Sequence, residues 1–388
     1  MSPGKRHMST LPGLRSLRKF AGKRVLVRAG LNVPVDGQRV TDDYRLRRIW
    51  PTIQLLKDAG SRVVMVGHIG RGPKDTLSPV ADHLNKHMRT KVRFVPEVTG
   101  GRVIDEVAGM SNGDVLLLEN LRQNPGEQAN DRSFAAALAQ IADLYVNEAF
   151  SVAHRKHASV HAITRYLPSY AGPLFVDEVK HLSEVLVPQH PFFFVLGGAK
   201  IATKMPLLKK FVDLADVLFV GGALAHDIMV ARDMEIGRSL HGEKVRGVKR
   251  LANNPKLLIP EDVVVEGRHG VEALETDAVR KSDRILDAGP RSQKVFADIL
   301  AGSRLIVVNG PLGYYEGGYT EGTKALLRAV ANSGARTIIG GGDTVACARA
   351  MKLEGKFTFV STGGGAMLDY LADGNLPAIE ALIKSKRS

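Results

Sequence analysis

The 388-residue sequence has few cysteines and aromatic residues, no long apolar run and neither of two common nucleotide-binding motifs. Its single cysteine, Cys347, excludes an intrachain disulfide and a cysteine-based zinc cluster. No apolar run reaches 18 residues, so we expect no transmembrane helix, and the lack of a secretory signal at the start favours the cytoplasm. Aromatic residues make up only 6% of the chain, and no aromatic stacking motif for nucleic acid is present. Neither GxGxxG nor the Walker A pattern occurs, which argues against dinucleotide dehydrogenases and P-loop enzymes.

Acidic residues are absent from the first 35 positions, which hold eight lysines and arginines. The whole chain carries a formal net charge of +14. This excess favours anionic partners, among which nucleic acid, phosphorylated metabolites and an anionic membrane fit equally well on charge alone. The basic first segment would suit a targeting peptide or an RNA-contacting arm, although such stretches are more often frayed termini.

Short apolar runs alternate with stretches of helical periodicity along the chain. The runs are mostly bulky or β-branched and do not alternate regularly with polar residues, which is typical of strands buried on both faces of a parallel sheet. The predicted strands cover 24–28, 62–66, 92–95, 114–118 and 143–146, then 192–196, 217–220, 304–308, 336–339 and 357–360. This alternation indicates α/β architecture with doubly wound parallel sheets.

The two series of strands predict two domains, 1–174 and 190–370. Between them, apolar residues at Val176, Val179, Leu182 and Leu186 have helical spacing. We therefore expect 175–189 to form an interdomain helix.

Positive and polar residues follow the strands of the N-terminal half. In open α/β sheets, ligands bind beyond the carboxyl ends of the strands. The residues at these positions are Asn32, Arg45, His68, Arg71, Arg122 and Arg155. Guanidinium groups bind phosphate or carboxylate with paired hydrogen bonds, and four arginines beyond separate strand ends are able to converge on one anion. A single arginine is usually a solvated surface charge. The prediction therefore depends on all four arginines following the ends of strands.

Glycines follow the strands of the C-terminal half, at 197–198, 221–222, 310, 340–342 and 363–365. Glycine lets a phosphate approach the backbone, where the N–H groups of a helix N-terminus hold the anion. Lys200 and Lys204 are spaced to point the same way from one helix, and Asp343 is a candidate Mg²⁺ ligand. One half would thus bind a small phosphorylated anion and the other a magnesium nucleotide, for phosphoryl transfer between domains that close and expel water.

Ten motifs in order carry a family resemblance, from about Lys23 to Ile383. They are RVLVRAGLNVP, VTDDYRLRR, VGHIGR, GDVLLLENLR, NEAF, AHRKHAS, LGGAKIATK, VNGPLGYYE, IGGGDT and STGGGA. With them the chain resembles the phosphoglycerate kinase family. The resemblance implies reversible, Mg²⁺-dependent phosphoryl transfer between 1,3-bisphosphoglycerate and ADP, giving 3-phosphoglycerate and ATP. It also implies a monomer of two Rossmann-like domains joined by a hinge, in which 371–388 returns to the N-terminal domain.

The resemblance also implies roles for individual residues. Arg71, Arg122, Arg155 and His68 would hold the glycerate phosphate, and Asn32 would contact the acceptor. Arg45 and Lys200 would reach the transferring phosphoryl group, and Lys204 would bind a nucleotide phosphate. The nucleotide phosphates would be bound by Gly341, Gly342, Asp343 and Thr344, and Asn309 would lie near them. Asp343 would also bind the metal, and Glu316 would bind the ribose hydroxyls. Arg45, Lys200 and Gly342 would be the catalytic residues.

Four departures from the family pattern bear on acceptor and nucleotide binding. Gly30 stands where the family usually has an aspartate that contacts the glycerate; Thr203 and Glu148 each replace an aspartate, and Ala223-Leu224 replaces Gly-Met near the expected adenine site. We expect an active kinase that binds small molecules and no membrane. The alternatives are a nucleotide-binding pseudoenzyme or a kinase of another small acid, because of Gly30 and Thr203, and a nucleic-acid-binding protein, because of the charge.

Overall fold

The computed structural model describes residues 11–14, 16–88, 90–199, 201–243 and 245–385. These residues separate into two compact units. Unit 1 contains the residues up to Lys180 and those from Asp373 onward, and unit 2 spans His181–Ala372. Each unit is built on a six-stranded sheet whose strands pair in parallel, so the predicted α/β class with two doubly wound sheets is confirmed.

The first part of the chain alternates strands and helices as predicted. Its strands are β1 (Arg24–Ala29), β2 (Val35–Asp36), β3 (Arg39–Val40), β4 (Arg62–Val66), β5 (Val92–Val95), β6 (Val115–Leu118), β7 (Leu144–Glu148) and β8 (Ser169–Ala171). Its helices are α1 (Tyr44–Asp58), α2 (Ser78–His87), α3 (Gly101–Ala108), α4 (Pro125–Gln128), α5 (Arg132–Gln140) and α6 (Pro173–Val185). Helix α6 overlaps the segment 175–189 that was predicted to be helical, but it begins at Pro173 and ends at Val185, and it contains the division between the units.

Burial explains why these segments fold as they do. Strand β1 is buried at every residue after Arg24, as a central strand covered on both faces requires. Helix α1 buries Leu46, Ile49, Ile53 and Leu56, a spacing that places them on one face. Full burial of each such side chain contributes about 1.5–3 kcal/mol.

The sheet of unit 1 has the order β5-β6-β4-β1-β7-β8. The chain moves from β1 to β4 on one side and later returns to place β7 on the other side of β1. The strand order therefore reverses between β1 and β7, which is where a ligand crevice forms in such sheets.

The second part of the chain has the strands β9 (Phe192–Leu196), β10 (Val217–Val220), β11 (Leu257–Leu258), β12 (Asp262–Gly267), β13 (Gly270–Glu275), β14 (Arg284–Ala288), β15 (Leu305–Asn309), β16 (Arg336–Gly340) and β17 (Phe359–Val360). Its helices are α7 (Ile201–Leu214), α8 (Ala223–Ala231), α9 (Val248–Ala252), α10 (Pro290–Leu300), α11 (Glu321–Asn332), α12 (Gly342–Ala350) and α13 (Gly365–Asp373). The sheet order β11-β10-β9-β15-β16-β17 reverses between β9 and β15.

An antiparallel sheet in unit 2 was not predicted from the sequence. Strand β12 pairs with β13 and β14, and a small core that includes Val263, Val265 and Ile285 packs beneath it. Strand β13 has no fully buried residue, so it lacks the continuous apolar run by which the other strands were found. The Gly267–Gly270 turn between β12 and β13 is the sequence signal that could have predicted this hairpin.

The chain ends in unit 1 with helix α14 (Pro377–Ser385). Its Ala378 N–H donates to the carbonyl oxygen of Ala153 at 3.0 Å, and it buries Ile379 and Leu382. Among the described residues, no helix combines the length and the apolar character needed to cross a membrane.

Candidate functional site

In unit 1, four predicted site residues follow the carboxyl ends of four strands. Asn32 follows β1, His68 follows β4, Arg122 follows β6 and Arg155 follows β7. Because these strands belong to one parallel sheet, their carboxyl ends lie at one edge. The predicted residues are thereby brought to the same side of unit 1.

Hydrogen bonds link three of the loops at this edge. The Arg45 Nη1 donates to the backbone oxygen of Asn32 at 2.8 Å, and the Asn32 Oδ1 accepts from the Gly70 N–H at 3.0 Å. The Arg122 Nη1 donates to the carbonyl oxygen of the same Gly70. Arg45 stands in the first turn of α1 and is half-buried, and burial lowers the pKa of its guanidinium. These bonds hold Asn32, Arg45 and Arg122 in one arrangement.

A buried arginine that the sequence reasoning did not single out lies beneath this surface. Arg28, in β1, is fully buried and donates from Nη2 to the Nδ1 of His68 at 3.0 Å. A guanidinium has no acceptor, so Nδ1 of His68 must accept and its proton must lie on Nε2. Arg28 therefore fixes His68 as a neutral imidazole that has one N–H left to donate.

A buried carboxylate balances this positive charge. Arg28 Nε donates to Ser159 Oγ at 3.0 Å, and Ser159 Oγ donates to Glu127 Oε1 at 2.6 Å. Glu127 also accepts from the Ser159 N–H at 2.9 Å and lies 3.7 Å from the Nδ1 of His157. We call Arg28, His68, Arg122, Arg155 and His157 the cationic cluster; Glu127 and Ser159 support it from within.

Both histidines of the cationic cluster are held in the neutral form. Burial, then the charges of Arg28, Arg122 and Arg155, lower the pKa of His68 to about 2. Burial and the same three arginines lower the pKa of His157 to about 4. Like charges this close raise one another's free energy, and a bound anion relieves that cost. The cluster is thus suited to bind a multiply charged anion.

Arg71 differs from the other predicted residues of unit 1. It lies in the loop after β4 and is exposed, and no hydrogen bond described for unit 1 ties it to the cationic cluster. Its predicted role at the glycerate phosphate therefore stays a prediction.

In unit 2, the turns after β9 and β15 pack closely on each other. A Cβ at Gly197 would lie 2.1 Å from the carbonyl oxygen of Pro311, and one at Gly310 would lie 2.5 Å from that of Gly197. The Gly197 N–H donates to the Asn309 carbonyl at 2.8 Å. These two glycines are required by packing at the reversal point of the sheet, whatever their part in ligand binding.

Lys204 lies in the first turn of α7 and turns back toward this packed region. Its Nζ donates to the carbonyl oxygen of Gly197 at 2.6 Å, and burial lowers its pKa to about 8. Removing an ammonium from water is costly, so an approaching anion would stabilise its charged form. Lys200, the other predicted lysine, lies outside the described residues.

The glycine-rich turn after β16 begins helix α12. Gly341 has a φ of +90°, a conformation that L residues rarely adopt, and a Cβ at Gly342 would meet no atom within 4 Å. The turn therefore leaves open space in front of the α12 N-terminus, where N–H groups are available to an anion. The Oγ1 of Thr344 is buried there without a hydrogen-bond partner in the described part of the chain.

A cavity of about 520 Å³ lies beside these turns, and Asp343 and Glu316 line it. Its other lining residues include Gly198, Ala199, Gly222, Ala223, Arg284, Leu286 and Tyr314. Several of these have little or no side chain, which leaves room for a ligand of nucleotide size. Asn309 ends β15 and is buried, and its Nδ2 contacts the sulfur of Met367 at 3.4 Å.

Asp343 is the one predicted metal ligand in unit 2. Burial, then the charge of Glu316, raises the pKa of its carboxyl group. No group of three or more His, Cys, Asp or Glu side chains among the described residues is placed to hold a metal ion by itself. A carboxylate in this position would bind a cation mainly in combination with ligand phosphates.

The sequence pattern of one protein family matches residues 14–374, and that family is "Phosphoglycerate kinase". The chain belongs to the phosphoglycerate kinase family. It is 40% identical over 384 residues to the phosphoglycerate kinase of Syntrophobacter fumaroxidans, covering 94% of this chain and 96% of that protein. It is 39% identical over 381 residues to that of Herpetosiphon aurantiacus, covering 94% and 97%. The resemblance read from the ten motifs is confirmed.

Solved structures of phosphoglycerate kinases share the fold. The phosphoglycerate kinase of Coxiella burnetii superposes with a TM-score of 0.80 at 35% identity, covering 94% of this chain and 97% of that one. The phosphoglycerate kinase of Pyrococcus horikoshii gives a TM-score of 0.86 at 27% identity, covering 95% and 98%. The fold of this family member is thus the fold of phosphoglycerate kinases along nearly its whole length.

The residues missed in this family member had weak signals in the sequence. Arg28 interrupts an apolar strand, and a charged residue in a buried strand needs a partner, so its position alone pointed to a buried charge network. Glu127 and Ser159 stand in loops without apolar periodicity, and only the tertiary structure brings them together. Tyr314 lay unremarked inside the VNGPLGYYE motif.

Proposed function

We propose that this chain catalyses reversible phosphoryl transfer between 1,3-bisphosphoglycerate and ADP, giving 3-phosphoglycerate and ATP. Membership of the family, shown by about 40% identity to phosphoglycerate kinases over more than nine-tenths of the chain, is the observation that carries the proposal. The cationic cluster in unit 1 suits a phosphorylated acid, and the cavity in unit 2 suits a nucleotide.

The acceptor side is assigned to unit 1. Arg122, Arg155 and His68 hold the phosphate of 3-phosphoglycerate, with Arg71 closing over it, and Arg28 keeps His68 as a donor. Asn32 contacts the acceptor. Arg45, whose Nη1 donates to the backbone oxygen of Asn32, neutralises the transferring phosphoryl group. In the direction of ATP use, the acceptor carboxylate forms a bond to the γ-phosphorus while the bond from that phosphorus to the ADP oxygen breaks.

The nucleotide side is assigned to unit 2. Lys204 and Lys200 neutralise its phosphates, which lie before the open N-terminus of α12, against Gly341, Gly342 and Thr344 and near Asn309. Glu316, exposed at the cavity, accepts hydrogen bonds from the ribose hydroxyls. Since the two substrates belong to different units, transfer depends on a hinge movement that brings them into line.

Magnesium fits the residues present in unit 2. The Asp343 carboxylate lines the cavity and its charge is disfavoured by burial and by Glu316, so a divalent cation there would stabilise it. Asp343 would hold Mg²⁺ together with nucleotide phosphates. The ion would supply positive charge to the phosphate oxygens.

The finer properties of the protein follow the same proposal. We propose that it acts as a monomer, because each substrate site is assigned to residues of a single chain. We place it in the cytoplasm, a reducing compartment in which the buried free thiol of Cys347 persists. Light scattering on the purified chain would test the first point, since a dimer contradicts it.

A coupled assay tests the activity directly. ADP formation should require 3-phosphoglycerate, ATP and Mg²⁺ together. Arg122→Ala should raise the KM for 3-phosphoglycerate at least tenfold and leave the KM for ATP unchanged, because it removes a charged hydrogen-bond donor from the acceptor site only. Arg102→Ala is the matched control, since Arg102 is an exposed arginine of unit 1 on α3. The proposal is overturned if calorimetry shows ADP binding while 3-phosphoglycerate neither binds nor turns over.

A further inference from the structure

A chain of three buried side chains lies beneath the cationic cluster, and the proposed function gives two of them no role. Arg28 and Ser159 are fully buried, and Glu127 is 1% exposed. The guanidinium of Arg28 donates to Ser159 Oγ, to the carbonyl oxygen of Ala29 at 2.5 Å and to His68. Within the described part of the chain, no carboxylate lies within hydrogen-bond distance of this guanidinium. A charge buried in this way is costly unless an opposite charge acts on it.

Glu127 supplies the opposite charge from one hydroxyl group away. Its Oε1 accepts from Ser159 Oγ at 2.6 Å, and its Oε2 accepts from the Ser159 N–H at 2.9 Å. Because the hydroxyl proton of Ser159 is committed to Glu127, the hydroxyl oxygen is left to accept from Arg28 Nε. Burial lowers the pKa of both Arg28 and Arg122, and the charge of Glu127 opposes that shift in each. The Glu127 carboxylate therefore stabilises the positive charge of two arginines of the cationic cluster.

Glu127 also holds the loop that carries Arg155. The two bonds to Ser159 join this loop to α4, and the Ala158 N–H donates to the carbonyl oxygen of Glu127 at 2.9 Å. Tyr145 Oη donates to the carbonyl oxygen of Ser159 at 2.7 Å, which joins the loop to β7. All of these bonds are made within the protein, so the position of the loop does not depend on a bound ligand.

A negative charge beside an anion site has two opposite effects. In the empty site it offsets the repulsion among the cationic side chains and so stabilises the folded protein. Once an anion is bound, the same carboxylate repels it, and the affinity is lower than the cations alone would give. Very tight binding of a substrate or product does not raise kcat, so a lower affinity is no disadvantage to an enzyme that must release its product.

We propose that Glu127 is a positioning residue of the anion site in unit 1, and that its carboxylate stabilises the empty cationic cluster while weakening the binding of the anion. Glu127 acts through Ser159 and Arg28 and does not touch the anion. The inference rests on the proposed function for the identity of the natural anion, a phosphorylated acid. Its effect on inorganic phosphate is independent of that identity.

Two variants of the full chain separate the charge of Glu127 from its shape. Glu127→Gln removes the charge and nearly keeps the shape, whereas Glu127→Asp keeps the charge and shortens the side chain. In calorimetric titrations with inorganic phosphate, Glu127→Gln should lower the Kd about tenfold, because a repelling charge close to the anion is removed, and Glu127→Asp should stay within about twofold of wild type. Glu106→Gln is the matched control, since it removes a carboxylate that pairs with the exposed Arg93 at the surface of the same unit.

Melting temperatures give the second measurement. Without an anion, Glu127→Gln should melt about 5 °C below wild type, and saturating phosphate should remove most of that difference, because the bound anion then balances the cationic cluster. A merely structural role would lower the melting temperature equally with and without phosphate, and that result overturns the proposal. So does a Kd for phosphate in Glu127→Gln that is no lower than in wild type. A Glu127→Gln chain that stays unfolded in saturating phosphate also overturns it.

Failure of the proposed function gives a different pattern. With an active chain, Glu127→Gln should also lower the KM for 3-phosphoglycerate about tenfold and leave the KM for ATP unchanged. With a wild-type chain that does not turn over 3-phosphoglycerate, the phosphate titrations and the melting curves still decide the inference, since neither needs a nucleotide. A wild-type chain that binds no phosphate overturns the inference whatever its activity.

Discussion

The two units of this chain are equipped for anions in different ways. Unit 1 uses side chains: burial and the charges of Arg28, Arg122 and Arg155 lower the pKa values of two histidines, and Glu127 offsets part of the positive charge from within. Unit 2 uses mainly backbone groups, because Gly341 and Gly342 leave space in front of the N-terminus of α12. Lys204 adds a positively charged side chain beside the turn that contains Gly197.

This difference determines how each site responds to change. A side-chain site loses a defined interaction when one residue is shortened, and it responds to pH because its groups titrate. A backbone site keeps its N–H groups after most substitutions, and it fails when a Cβ enters the space that the ligand needs. Substitutions in the two units should therefore separate these two kinds of loss.

Removal of Arg45 should have the largest effect. Arg45→Ala should lower kcat about 10³-fold, because a cation on the transferring phosphoryl group stabilises charge in the transition state. Steady-state kinetics with saturating substrates would measure this. Arg47→Ala is the matched control on the same helix, since Arg47 is exposed and pairs with Asp43. A kcat within threefold of wild type for Arg45→Ala would contradict the assigned role.

Acid should destabilise unit 1 through the buried His68 and the half-buried His157. The folded pKa values of His68 and His157, about 2 and about 4, lie below the ordinary value of 6.5, so the unfolded chain binds protons that the folded chain does not. Their contribution to stability is present above pH 6.5 and is lost as the pH falls from 6.5 toward 4, by at most roughly 1.4 kcal/mol per pH unit for each histidine.

Urea unfolding at a series of pH values measures this loss. His68→Asn with His157→Asn should make the free energy of unfolding less dependent on pH between 6.5 and 4 than in wild type. Other groups act in the opposite sense, since burial raises the pKa of Glu148 to about 7, so the difference between variant and wild type is the quantity to compare. His269→Asn, in the exposed turn between β12 and β13, is the control. Parallel curves for wild type and the double variant would contradict the prediction.

The sequence predicted the residues at the carboxyl ends of the strands better than the buried polar residues beneath them. The positions of Asn32, His68 and Arg122 after strands were predicted because buried strands of a parallel sheet are recognisable as apolar runs. Their roles toward a ligand stay predictions. Glu127 and Ser159 could not be found in this way, because their contacts with Arg28 depend on how loops distant in sequence meet.

The glycines show the same limit in unit 2. The sequence indicated that Gly197, Gly310 and Gly342 follow strands, and all three do. It could not indicate that a Cβ at Gly197 or Gly310 would collide with the neighbouring turn while one at Gly342 would meet nothing. Which glycines serve packing and which leave room for a ligand depends on the distance between backbones, and periodicity carries no information on that distance.

Gly342 tests the backbone site without disturbing the fold. Gly342→Ala places a methyl group where no protein atom lies within 4 Å, so the melting temperature should be unchanged. The KM for ATP should nevertheless rise about thirtyfold, because the methyl group occupies space assigned to the phosphates, while the KM for 3-phosphoglycerate stays the same. Gly355→Ala is the matched control, since its Cβ also meets no atom. Unchanged ATP kinetics in Gly342→Ala would place the phosphates elsewhere.

Substitution of Gly30 should have the smallest effect of these changes, and it tests whether residue 30 faces the acceptor site in unit 1. Its Cβ would have Ser151 Oγ at 3.9 Å as its nearest neighbour, so a side chain fits there. Gly30→Asp should lower the KM for 3-phosphoglycerate about tenfold, because a carboxylate accepts a charge-assisted hydrogen bond from the glycerate hydroxyl. Gly30→Asn has the same shape without the charge and should give a smaller gain. If both variants leave that KM unchanged, residue 30 does not face the acceptor; if aspartate alone raises it, repulsion between the new carboxylate and the anionic acceptor outweighs the hydrogen bond.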